Sequence, residues 1–195
     1  MKVAIIDYGA GNTKSLQFAL ERIGVIGYLS SDPEQICNAD KVIFPGQGAA
    51  KSAMAMLKVK GLDLLIPQLQ QPVLGICLGM QLLCDYTEEG DVKALGIIPG
   101  KVRRFPNQVK VPQMGWNTIS ETQTTIFQDI KHNEFMYLVH SYFVPILPET
   151  IAVSTYHRPY SVGLNKDNFY GVQFHPEKSS KAGQQLLQNF LNISK

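Results

Sequence analysis

The sequence predicts an α/β fold: a mostly parallel central sheet with helices on both faces, extended by antiparallel strands. Three observations carry this. Short apolar runs without polar alternation recur at Val3–Ile6, 42–44 and 73–76, as strands buried on both sides require. Each is followed by residues at helical spacing, and a β-α-β-α order closes into parallel strands joined by crossovers. The second half then offers strand after strand with little helix between, which calls for antiparallel pairing.

Taken in order, Val3–Ile6 is the first strand. Asn12 or Thr13 can cap a helix that sets Leu16, Leu20 and Ile23 on one face and stops at Gly24. Val42-Ile43-Phe44 is a strand leading into a Pro45-Gly46-Gln47-Gly48 loop. Ala50, Ala53, Met54 and Leu57 mark a helix, and 62–70 a further turn or two. After strand 73–76, Met80-Gln81-Leu82-Leu83 opens a helix on which Cys84 is expected to pack. Later strand candidates are 96–104, 108–111, 136–140, 151–155, 161–165 and 169–174. A final helix from about 183 to 192 buries Leu186, Leu187, Phe190 and Leu191. With no repeat, low-complexity tract or linker, residues 1–195 read as one domain.

Composition narrows the classes. The net charge of +2 comes from scattered Lys and Arg, which gives no basis for binding nucleic acid or an anionic membrane. No apolar run approaches the roughly 20 residues that span a bilayer, and the start of the chain is too briefly apolar for a secretory signal. Three cysteines, an odd and low count, fit a reducing cytoplasm. None are spaced Cys-x-x-Cys, which argues against a structural zinc site, and the expectation is of no metal and no cofactor.

The chemistry centres on Gly75-Ile76-Cys77-Leu78-Gly79. An apolar strand, a tight turn and a helix form a Gly-x-nucleophile-x-Gly elbow with Cys at its tip. The two glycines permit a strained turn, and the helix N-terminus favours thiolate, the attacking form. A lone Cys in an apolar stretch is more often packing, so partners decide. Of the four His residues, His175 ends the run Phe169-Tyr170-Gly171-Val172-Gln173-Phe174 and precedes Pro176-Glu177. A strand would bring it to the sheet edge that holds Cys77, and Glu177 could accept its ring N–H and fix the tautomer. A developing oxyanion could be met by the backbone N–H of Leu78 and one from Gly46, Gln47 or Gly48.

Together Gly75-Ile76-Cys77-Leu78-Gly79-Met80-Gln81 and Gly171-Val172-Gln173-Phe174-His175-Pro176-Glu177 resemble class I (triad) glutamine amidotransferases. Asp7-Tyr8-Gly9-Ala10-Gly11-Asn12, Met114-Gly115-Trp116-Asn117, Val139-His140-Ser141-Tyr142 and Glu177-Lys178-Ser179 narrow this to the glutaminase subunits of imidazole glycerol phosphate synthases, along essentially the whole chain. The resemblance implies a flavodoxin-like three-layer fold. It implies that L-glutamine is hydrolysed by Cys77, His175 and Glu177. It implies that ammonia passes to a separate cyclase subunit, built as a (β/α)₈ barrel, within a heterodimer that serves histidine biosynthesis. It further implies that Gln81, Glu89, Ser141 and Tyr142 hold glutamine, and that Asn12, Trp116, Tyr137 and Lys178 face the partner and the ammonia exit. Two positions depart from the family pattern: Gln113 stands where His is common, and Gln47 where Val is common. Ammonia made without an acceptor is wasted, so weak activity is expected from the chain alone. The remaining alternatives are the glutaminase subunit of another amidotransferase, a partner-independent Cys hydrolase and a binding module with a decayed site.

Overall fold

The computed structural model describes residues 1–9 and 13–194; the expected cap at Asn12 lies outside them. The first half alternates as expected: β1 (Val3–Ile6), α1 (Thr13–Arg22), β2 (Gly27–Ser30), α2 (Pro33–Cys37), β3 (Lys41–Gly46), α3 (Ala50–Val59), α4 (Leu62–Leu65), β4 (Val73–Cys77) and α5 (Leu78–Leu82). The second half is richer in strands: β5 (Cys84–Thr87), β6 (Val92–Lys93), β7 (Ile98–Arg104), β8 (Gln113–Ile119), β9 (Glu134–His140), β10 (Tyr142–Phe143), β11 (Thr150–Tyr156), β12 (Arg158–Lys166) and β13 (Phe169–Val172). Helix α6 (Ser180–Asn192) follows.

Seven strands form the central sheet in the order β11-β12-β13-β4-β3-β1-β2. Pairing is parallel from β2 across to β13 and antiparallel from β13 to β12 and β11. A four-stranded sheet (β10-β7-β5-β6) and a two-stranded ribbon (β8-β9) are hydrogen-bonded separately from it. The unalternated apolar runs now have their reason. Val3, Ile5, Ile43, Leu74 and Ile76 enter one buried cluster with residues of α1 and α6, whereas Ala4, Ile6, Val42, Phe44 and Val73 enter a second with α3, α4 and α5. Strand periodicity sends successive residues to opposite faces, and both faces are covered. No helix among the described residues is long and apolar enough to cross a membrane.

Several expectations need correction. Residues 108–111 form no strand: Pro106 and Pro112 bracket the segment, proline offers no N–H to a ladder, and Val109 and Val111 serve only as partly buried packing. The strand lies just beyond, as β8. Cys84 is not on the helix after Cys77. That helix ends at Leu82, and Cys84 opens β5, paired with Ile98 and fully buried. Gly46 belongs to strand β3 rather than to a loop. Strand β13 stops at Val172, so His175 is reached by an irregular exit, and α6 begins at Ser180 rather than near 183. Strand β2 was not foreseen.

Candidate active site

Cys77 ends β4, flanked by β3 and β13, with Gly46 opposite it and Ile76 opposite Val172. The strain of the elbow sits on the cysteine itself, whose φ of 55° is left-handed and unusual for a residue with a Cβ. The glycines act differently from the expectation: they supply room. A Cβ at Gly75 would lie 2.8 Å from the Met80 nitrogen, one at Gly46 2.6 Å from the Gly79 nitrogen, and one at Gly79 would overlap the Phe44 carbonyl oxygen. The helix that follows has only five residues, so the field at sulfur comes from its first amides rather than from a long macrodipole.

The sulfur meets the Val139 carbonyl at 3.9 Å and Gln173 Nε2 at 3.7 Å. His175 is buried, and its backbone N–H donates to the Tyr137 carbonyl at 2.9 Å. Its Nδ1 lies 2.8 Å from Glu177 Oε1, which assigns the proton to that nitrogen and leaves Nε2 free of hydrogen bonds among the described residues. Burial alone would depress the imidazole, but the nearby sulfur and the Glu177 carboxylate outweigh it and lift its pKa to about 10. The Ser179 hydroxyl donates to the His175 carbonyl at 2.7 Å and accepts from the Tyr137 N–H at 2.9 Å, tying the His175 exit to β9.

Beside the sulfur opens a cavity of about 430 Å³. Cys77, His175, Leu78, Gln47 and Gly48 line it, together with Gln81, Glu89, Ser141 and Tyr142. Gly48 has φ +91°, a conformation that favours glycine. Gly46 does not line this cavity; its backbone is held within β3. Gln81 Nε2 donates to the Tyr142 carbonyl and to Gln173 Oε1, each at 2.9 Å. Glu89 Oε2 accepts from the first amide of α3, Ala50, at 2.9 Å; burial raises the carboxyl's pKa and the amide tempers the rise.

The glutamine amidotransferase class I family model matches residues 4–193. The chain belongs to the class I glutamine amidotransferases. Among curated relatives it is 52% identical to the imidazole glycerol phosphate synthase subunit HisH of Bacteroides fragilis, covering 99% of this chain and all of that one. It is 44% identical to the HisH subunit of Vibrio parahaemolyticus over 98% of each. Among solved structures, a glutamine amidotransferase matches with TM-score 0.77 at 16% identity, covering 98% of this chain and 97% of that one. PurLQS of Thermotoga maritima matches with TM-score 0.73 at 16% identity, covering 98% and 97%. These structures share the fold.

Within this amidotransferase, the described residues expected at a partner surface lie together. Trp116 and Tyr137 pair across the ribbon with ring centroids 6.0 Å apart, and Lys178 Nζ lies 5.9 Å from the Tyr137 ring. Asn12 is outside the described residues. Strand β9 links the two places: Tyr137 belongs to the aromatic cluster, and Val139, two residues on and on the same face, meets the sulfur. Among the described residues no group of three His, Cys, Asp or Glu side chains converges as a metal site.

Sequence reasoning gave no role to Gln173, His140 or the Val139 carbonyl. Gln173 carried a signal, a polar residue inside the apolar run Gly171-Val172-Gln173-Phe174. His140 lines the cavity; its Nδ1 donates to the Tyr142 carbonyl at 2.7 Å, and its Nε2 lies 3.3 Å from the Tyr160 hydroxyl. Tyr160 in turn donates to Gln113 Oε1 at 2.9 Å, so Gln113 closes a buried polar network behind the cavity.

Proposed function

We propose that the chain is the glutaminase subunit of an imidazole glycerol phosphate synthase, folded as one amidotransferase domain over residues 1–195. In this reading it hydrolyses L-glutamine and passes the ammonia to a barrel-shaped cyclase subunit in the cytoplasm, with no part for nucleic acid, membrane or cofactor. The observation that carries it is a cavity lined by both Cys77 and His175, with Glu177 bonded to the His175 ring, in a chain about half identical to a HisH subunit along its whole length.

The Cys77 sulfur, its proton passed to His175, attacks the side-chain amide carbon of glutamine. The resulting oxyanion is met by backbone N–H groups at Leu78 and at Gln47–Gly48, each worth about 3 kcal/mol in the transition state. Imidazolium at His175 protonates the amide nitrogen, the C–N bond breaks, and ammonia leaves with a thioester behind it. Water, deprotonated by His175, then attacks the thioester and releases glutamate and the thiol. Glu177 holds the ring and balances its charge throughout. Gln81, Glu89, Ser141 and Tyr142 anchor the amino-acid end of the substrate. Trp116, Tyr137 and Lys178, with Asn12, face the partner and the ammonia exit.

The test is a glutaminase assay with and without the cyclase partner and its nucleotide. Weak turnover alone, raised by the partner and abolished by Cys77→Ser, is expected. Full turnover by the isolated chain would remove the coupling, and unchanged turnover in Cys77→Ser would remove the nucleophile.

A further inference from the structure

Gln173 sits between the end of β13 and His175, with no exposed surface. Its backbone N–H donates to the Val162 carbonyl at 2.9 Å, fixing the main chain. A buried primary amide has to place both its oxygen and its nitrogen, and the neighbours decide which way it points. The chain of assignment starts at the Tyr142 carbonyl, which can only accept. It takes N–H bonds from His140 Nδ1 and from Gln81 Nε2. The second Gln81 N–H then faces Gln173 Oε1 at 2.9 Å, which turns the Gln173 NH₂ group towards Cys77 Sγ at 3.7 Å.

We propose that Gln173 positions the nucleophile, donating its side-chain N–H to the Cys77 sulfur so as to hold it in its attacking orientation and favour its charged form. The proposal rests on Cys77 being the nucleophile. A donor hydrogen bond strengthens when the acceptor is charged, so the amide favours the sulfur without its proton. The carbonyl of Val139 on the sulfur's other flank can only accept, and so favours the thiol. Gln173 and the proton acceptor His175 therefore act together against Val139. The same amide chain ties the sulfur to the Gln81 side chain and the Tyr142 carbonyl in the cavity wall, so a side chain that anchors glutamine also fixes the group that attacks it.

The test follows alkylation of Cys77 by iodoacetamide across pH in the full-length chain, read on the Cys77 peptide by mass. Glutamine turnover is measured in parallel with the cyclase partner present. Gln173→Glu keeps the shape and the acceptor for Gln81 but replaces the donor with a carboxylate; Gln173→Met removes both. The alkylation midpoint is expected to move up by about one pH unit in Gln173→Met and further in Gln173→Glu. The expected fall in kcat is about tenfold, one pH unit being about one power of ten, with KM nearly unchanged in Gln173→Glu, which keeps the acceptor for Gln81. A merely structural role would lower the melting temperature and leave the alkylation profile in place. An unchanged profile in Gln173→Glu overturns the proposal, as does loss of the cooperative melt in both variants. Wild-type chain that fails to hydrolyse glutamine, or Cys77→Ala that still does, would instead remove the nucleophile reading on which this one stands.

Discussion

The parallel half of the sheet and the β8–β9 ribbon solve opposite problems. Strands β1, β3 and β4 are buried on both faces, and three glycines let β3 and β4 close on α5 around Cys77. The ribbon packs one face on that sheet through Ile119, Met136 and Leu138 and leaves Met114, Trp116 and Phe135 at 65%, 52% and 54% exposure. Its own glycine, Gly115, has φ +130° and open space around it. A strained nucleophile needs rigid surroundings that over-determine it, whereas a large apolar patch on a two-stranded ribbon suits contact with another protein. Both regions reach the same sulfur, one through β4 and the other through β9.

The sharpest way to break this contrast is to put a methyl on each glycine. Gly79→Ala drives a Cβ into the Phe44 carbonyl and is expected to lose about 3 kcal/mol or more of stability along with activity. Gly115→Ala meets only backbone strain and is expected to lose about 1 kcal/mol. Urea unfolding of both variants checks the ratio, and equal losses would dissolve the distinction.

Next is His140, between the two regions. Burial pushes its pKa down to about 4, against the pull of the Tyr142 carbonyl and with the help of charge on His175. A folded pKa below the unfolded 6.5 means that the unfolded chain binds the extra proton first. Stability from this group is therefore whole above about pH 6.5 and lost as pH falls towards 4, by about 3 kcal/mol in all. Relative to wild type, His140→Gln is expected to flatten that part of the stability curve, measured by unfolding at neutral pH and near pH 4.

Glu177→Gln addresses the triad alone. With the carboxylate gone, the alkaline limb of the rate profile, set by His175 near pH 10, is expected to move down by at least one unit, with turnover falling about 10- to 100-fold. The stability arising from this raised pKa is present below about pH 6.5 and lost as pH rises through 10, so the variant should lose least against wild type in alkali.

The smallest effect on the fold belongs to the ribbon. Trp116→Ala is expected to change stability by less than about 0.5 kcal/mol, as exposed residues do, while reducing the stimulation of glutamine turnover by the cyclase subunit. Unchanged stimulation would detach the aromatic cluster from the partner surface.

The same contrast explains what could be read beforehand. The buried strands announce themselves because both faces are apolar, and the elbow and the His-Pro-Glu exit lie at their ends in recognisable order. Strand β8 hid because its alternation is inverted: Met114 and Trp116 face outward while Gln113 is buried. Strand β2 hid because it is a short edge strand that begins with glycine and exposes Leu29. The residues proposed as a triad were legible as residue types at a strand end or just beyond one. Gln173 and His140 were not, since a buried polar side chain has its meaning only once its partners stand around it.

The central claim is that Cys77 is the nucleophile for glutamine, and the direct measurement is labelling by a glutamine-shaped electrophile, located by peptide mass. The account predicts one adduct, on Cys77, suppressed by excess glutamine. An adduct on exposed Cys37 or buried Cys84 instead, or labelling of Cys77 that glutamine does not suppress, would contradict it.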